Sequence, residues 1–151
     1  MGTSLHITTK KDRRKPVFNR RIIMIDVAVA ALLIKDDKIL LLKRADNDNI
    51  NPGMWSFPGG KVEKGETLEE ALHRELKEET SLQGVLQDLI YATTIFYGER
   101  QLVLLHYQMM PKGEKVLLSK EHSAFKWVKI NHLDKHLDSA ILKDFKQFNV
   151  Y

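Results

Sequence analysis

The stretch Gly59-Gly60-Lys61-Val62-Glu63-Lys64-Gly65-Glu66-Thr67-Leu68-Glu69-Glu70-Ala71-Leu72-His73-Arg74-Glu75-Leu76-Lys77-Glu78-Glu79-Thr80-Ser81-Leu82 decides how this chain is read. Thr67 and Glu70 form a Thr-x-x-Glu capping box, in which each side chain satisfies a backbone donor left free at a helix start. The spacing therefore predicts a helix beginning at Thr67 or Leu68. Advancing about 100° per residue from Leu68, Leu72 falls at about 40°, Leu76 at about 80° and Ala71 at about 300°. Glu75, at about 340°, and Glu79, at about 20°, fall inside the same apolar arc. Glu69, Glu70, His73 and Lys77 take the opposite, solvated side.

Two carboxylates facing a core at i,i+4 spacing repel each other and lose hydration, so the sequence asks for a cation beside them. Arg74 is spaced to reach Glu78 at i+4. Glu75 and Glu79 need more, and divalent ions that take oxygen ligands, Mg²⁺ or Mn²⁺, fit best.

From Gly60 the pattern is Gly, five residues, Glu66, seven residues, Arg74-Glu75-Leu76, one residue, Glu78-Glu79, one residue, Ser81-Leu82. This resembles the signature of the Nudix hydrolase family, MutT-like members in particular. All charged positions match over 23 residues, and Trp55-Ser56-Phe57-Pro58-Gly59 resembles the family's approach to the box. Ser81 departs, standing where the family has glycine, and Gly84 is a second candidate for the turn after the helix. The resemblance implies an α/β fold, the Nudix α/β/α sandwich with a mixed β-sheet between helices. It further implies hydrolysis of a nucleoside diphosphate linked to a group X, with a metal-activated water attacking phosphorus. On that reading Glu75, Glu78 and Glu79 are metal ligands, Arg74 orients them, Glu66 supports the loop, and Gly59 and Gly60 border the substrate.

The 151 residues suit one domain, written as a basic arm over 1–21 and a single Nudix domain over 22–151. The absence of cysteine excludes disulfides, thiolate metal sites and cysteine nucleophiles, and points to the cytoplasm. The net charge is +4, yet residues 10–21 carry seven Lys or Arg against one Asp, a net +6, leaving −2 for the remainder. Either this arm is solvated, or it adds a contact to RNA or a polyphosphate. Ile22 to Ile34 is only 13 residues long and is interrupted by Asp26, too short to cross a bilayer.

Asp26 to Ile34 is apolar on both alternating faces, as in a central strand covered on both sides. Ile39 to Leu42 begins a partner strand, Ala45 to Gly53 is a polar loop, and Trp55 to Phe57 a short strand. Gln87 to Tyr97 and Gln101 to Met110 read as a hairpin, Ala124 to Val128 as a last strand, and Ile141 to Phe148 as a final helix with Leu142 and Phe145 inward.

Glu121, six residues before Trp127, stands where family members often carry a further metal-binding or catalytic Glu, which the resemblance assigns to it. Arg44 and Lys61 are candidates for phosphate binding, and equally for ordinary surface charges. The six histidines show no ligand spacing. Phe96, Tyr97 and Asp138 are weak candidates for holding a base. The leading expectation is a metal-dependent pyrophosphohydrolase releasing a monophosphate and pyrophosphate from a nucleoside triphosphate, normal, oxidised or non-standard. The alternatives are a hydrolase of ADP-ribose, nucleotide sugars or RNA 5′ ends, and a non-catalytic nucleotide sensor. The expected partner is a nucleotide, with no membrane and with the chain a monomer or homodimer.

Overall fold

A computed structural model describes residues 24–49 and 51–150. The basic arm, and with it any contact to RNA, lies outside the described residues. The elements in chain order are β1 (Met24–Lys35), β2 (Lys38–Arg44), β3 (Trp55–Ser56), β4 (Gly59–Lys61), α1 (Leu68–Thr80), β5 (Gln83–Tyr97), β6 (Arg100–Lys112), β7 (His122–Lys129) and α2 (Ser139–Gln147), with a 3₁₀ turn over Ile130–Lys135 between the last two.

Strand β1 organises the sheet because both of its faces are apolar and both of its edges are paired. It runs parallel to β6, from Met24 opposite Arg100 to Leu33 opposite Met109. Its other edge is shared: β4 pairs with it at Ala28 to Ala30, and β2 at Ile34 and Lys35. Beyond that shared stretch β2 carries β7 and β3, and β5 lies outside β6.

Alternation along β1 and β2 sends side chains into two cores. Val29, Ala31, Leu33, Leu40 and Leu42 pack with Ala71, Leu72 and Leu76 of α1. Ala30, Leu32, Ile39 and Leu41 pack on the opposite face with Phe57, Leu133, Leu137 and Phe145. A mixed sheet thus lies between helices, as expected, and each fully buried leucine contributes about 2 kcal/mol relative to an exposed one.

The start of α1 follows the capping box: Glu70 N–H donates to Thr67 Oγ1 at 3.1 Å, and Thr67 N–H to Glu70 Oε2 at 2.8 Å. Its end corrects one expectation. Ser81 itself adopts the left-handed conformation, φ 60° and ψ 6°, and its N–H donates to the Lys77 carbonyl, so the turn does not pass to Gly84, which lies in β5. The left-handed cost for an L-residue is about 1–2 kcal/mol, partly offset by the unfolded-chain entropy that glycine adds. Ser81→Gly is therefore expected to stabilise the fold by about 0.5 kcal/mol, read as a higher urea midpoint at unchanged m-value.

Strand β4 has no pattern of its own in the sequence: Gly59–Lys61 is a strand because β1 supplies its hydrogen-bonding edge. The hairpin strands also run longer than their apolar patterns indicate, since a turn of only Gly98 and Glu99 joins β5 to β6. Among the described residues no helix is long and apolar enough to cross a membrane.

Candidate metal and phosphate site

Three pieces of backbone converge at the C-terminal half of α1. The first is β4, where a Cβ on Gly59 would fall 2.1 Å from the Val29 carbonyl oxygen and one on Gly60 would fall 2.4 Å from a Glu75 carboxylate oxygen. Only glycine permits β4 to lie this close to both β1 and α1. The approach leaves Gly59 N–H donating to Glu79 Oε2 at 2.8 Å.

The second piece is the segment before β7. The N–H groups of Ser119 and Leu117 donate to the carbonyls of Glu79 and Thr80, satisfying orphan acceptors at the helix end. The third is the end of β2, where Ala45 N–H donates to the Glu121 carbonyl at 2.9 Å and Arg44 lies opposite His122 in the ladder. These bonds bring Glu121 and Arg44 to the carboxylates of α1.

The resulting cleft, of about 250 Å³, is lined by Glu63, Glu75, Glu78, Glu79 and Glu121. Arg44, Arg74, Gly59, Gly60 and Ser119 complete its wall. Of the residues expected to bind metal or phosphate, Lys61 lies off this wall. Its ammonium is 3.2 Å from Asp26 Oδ2, and its carbonyl accepts from Arg74.

The wheel's placement of Glu75 and Glu79 is reproduced: Glu79 is 3% exposed. Burial pushes the Glu79 carboxyl up to about 8; the Gly59 N–H opposes the shift, whereas the charges of Glu75 and Glu121 add to it. Burial also raises Glu75, against the pull of Arg74. Glu78 remains largely exposed at the cleft mouth.

Arg74 reaches the i+4 partner its spacing suggests and holds another more tightly. It grips Glu66 with Nε at 2.6 Å and Nη2 at 2.9 Å, and reaches Glu75 at 2.8 Å, whereas Glu78 is 3.4 Å away. A bidentate fork on Glu66 outcompetes the i,i+4 contact because planar carboxylate and guanidinium match two hydrogen bonds at once. The Arg74 hydrogen bonds hold the Glu66 carboxyl at about 2, and Glu66 in turn accepts from Glu63 N–H. Glu66 thus braces the loop, as expected.

Sequence reasoning passed over Glu63 and His122. Glu63 carries no signal beyond its place in the quoted loop. His122 is buried beside Glu79, its Nε2 3.9 Å from Glu79 Oε1. A search for His-x3-His spacing misses it, whereas its adjacency to Glu121 points to it. Ligand atoms of Glu79, Glu121 and His122 lie within 4.8 Å of one another. A mostly oxygen donor set, in surplus of negative charge and partly desolvated, fits a divalent cation. Phe96 and Tyr97 are exposed on β5, and Asp138 caps α2 by accepting from the N–H groups of Ala140 and Ile141.

Comparison with known proteins shows the family and the fold. The chain is 33% identical over 116 residues to the nucleoside triphosphatase NudI of Salmonella newport (strain SL254), covering 70% of this chain and 82% of that protein. The MutT protein from Methanosarcina mazei Go1 superposes with a TM-score of 0.76 at 29% identity, over 83% of this chain and 93% of that one. The MutT NUDIX hydrolase from Burkholderia pseudomallei does so with a TM-score of 0.71 at 27% identity, over 82% and 97%. The model of the NUDIX domain family matches residues 24–147, and the chain belongs to this family as a Nudix hydrolase.

Proposed function

We propose that this chain is a divalent-metal-dependent pyrophosphohydrolase that converts a nucleoside triphosphate to its monophosphate and pyrophosphate. The observation that carries the reading is one cleft lined together by five glutamates, Arg44, Arg74 and the glycines of β4. The likeness to a protein named as a nucleoside triphosphatase favours the triphosphate over other nucleoside diphosphate derivatives.

Glu75, Glu78, Glu79 and Glu121 would hold Mg²⁺ or Mn²⁺, which would neutralise the diphosphate and lower the pKa of the attacking water. Arg44 presents a planar fork to a phosphate oxygen, with one nitrogen steadied by Asp48 at 2.8 Å. Gly59 N–H holds one Glu79 oxygen and frees the other for the cleft. Arg74, locked by Glu66, fixes Glu75. On this reading Glu121 takes the proton of water as the water oxygen bonds to phosphorus and the bridging phosphorus–oxygen bond breaks. The pyrophosphate or the monophosphate leaves on that oxygen.

The reading is tested with normal and oxidised nucleoside triphosphates, ADP-ribose, nucleotide sugars and a triphosphorylated RNA oligomer, at roughly millimolar Mg²⁺ or Mn²⁺. Pyrophosphate and monophosphate released in equal amounts from a triphosphate is the expected result. Failure to hydrolyse every triphosphate removes the reading. Glu121→Gln is expected to lower kcat about 100-fold with a smaller change in KM, and an unchanged kcat takes Glu121 out of the chemistry.

A further inference from the structure

Acidic residues alone do not explain His122. The residue is 6% exposed, and its Nδ1 is buried with no hydrogen-bond partner. Its Nε2 stands 3.9 Å from Glu79 Oε1, beyond the 2.7–3.2 Å range of a nitrogen–oxygen hydrogen bond. A buried imidazole placed this way sacrifices hydration without recovering a bond to the carboxylate. The same separation does suit two donors of one cation, because ligands bonded at about 2.1 Å stand about 3–4.2 Å apart in octahedral coordination.

The backbone fixes this placement. His122 opens β7 opposite Arg44, and its N–H donates to the Ser119 carbonyl at 3.3 Å. Ser119 N–H in turn donates to the Glu79 carbonyl, so imidazole and carboxylate are held by one short hydrogen-bonded path. Glu121, the residue before His122, completes a set of three donors whose ligand atoms all lie within 4.8 Å of one another.

We propose that His122 is a nitrogen ligand of the divalent ion held by Glu79 and Glu121, so that this centre favours a transition-metal ion of the Mn²⁺ or Co²⁺ class over Mg²⁺. The inference rests on the reading of the cleft as a metal site. Mg²⁺ demands oxygen donors and keeps its waters, whereas imidazole nitrogen gains affinity along the first transition row. A purely carboxylate site discriminates less between the two classes of ion.

The test uses the full chain with Mn²⁺ alone and no nucleotide. Mn²⁺ bound to the wild type is expected to show magnetic coupling to a ¹⁴N nucleus in pulsed electron paramagnetic resonance, and His122→Gln is expected to lose it. The same substitution should weaken Mn²⁺ binding at least about tenfold, while Mg²⁺ affinity, read by displacement of Mn²⁺, falls less than about threefold. Absence of ¹⁴N coupling in the wild type with Mn²⁺ bound overturns the proposal without needing any variant to fold. Equal losses for Mn²⁺ and Mg²⁺ also overturn it, making His122 a positioning residue for Glu79. Either outcome leaves the hydrolase reading standing if triphosphate turnover persists, whereas absent turnover with ¹⁴N coupling intact removes the hydrolase reading alone.

Discussion

Glu79→Gln is expected to lower turnover by about 100-fold or more and, at the same time, to make the metal-free protein more stable at pH 8. The two effects share one cause. Glu79 is the most buried carboxylate of the cleft, held by Gly59 N–H on one oxygen and facing the charges of Glu75 and Glu121. On the proposed metal reading its burial serves a cation and opposes the fold when none is bound. Removing the charge takes away a ligand oxygen and, together with it, the repulsion. A glutamine of the same size retains the bond from Gly59, so packing is preserved. Turnover within tenfold of wild type at saturating metal would show that Glu79 is only structural.

The pH dependence isolates this residue. Its carboxyl is raised from 4.5 to about 8, so the folded state binds the proton more tightly than the unfolded chain. The associated stability is fully present below about pH 4.5 and is lost as pH rises through about 8. For one proton the slope approaches about 1.4 kcal/mol per pH unit. Burial shifts His122 and His106 the other way, His106 to about 4, so their contributions are present above pH 6.5 and lost on acidification. Between pH 6.5 and 8 the carboxylates therefore dominate. Urea melts in a chelator should show stability falling across this window, with most of the slope absent in Glu79→Gln. Binding of Mn²⁺ near pH 7 should release a proton from the wild type and less from the variant.

What the sequence discloses here depends on whether a feature is local. The start of α1 is legible because Thr67 and Glu70 bond to each other's backbone and need nothing else. Glu75 and Glu79 are legible because helical periodicity alone places them among Ala71, Leu72 and Leu76. Strand β1 is legible because only a doubly covered strand is apolar on both faces. Arg74 is legible in part: its spacing gives the contact with Glu78, whereas the tighter bidentate pair with Glu66 comes from the loop before α1. Strand β4 is hidden because its two glycines carry no side chains to alternate; its character comes from the edge of β1. His122 is hidden for a similar reason. Its proximity to Glu79 arises from the register of β7 on β2 and from two hydrogen bonds to the end of α1, neither of which has a residue pattern.

Gly59→Ala is expected to destabilise the fold by about 2–4 kcal/mol and to abolish most activity, although alanine adds one methyl group. That methyl would lie 2.1 Å from the Val29 carbonyl oxygen and 2.8 Å from the Ala30 Cα, contacts with backbone that no rotamer change relieves. Strand β4 must then move off β1, which loosens the pairing of Ala30 with Gly59 and carries Gly59 N–H away from Glu79. Gly60→Ala is the informative companion, because its methyl meets the Glu75 carboxylate, a side chain that can turn aside. Its stability loss should be smaller than that of Gly59→Ala while its activity loss remains large. Urea unfolding and turnover measured on both variants separate the two roles. Equal stability losses at the two positions would mean that β4 is fixed by α1 rather than by β1, and a stable, active Gly59→Ala would mean that the glycine strand sets neither the fold nor the position of Glu79.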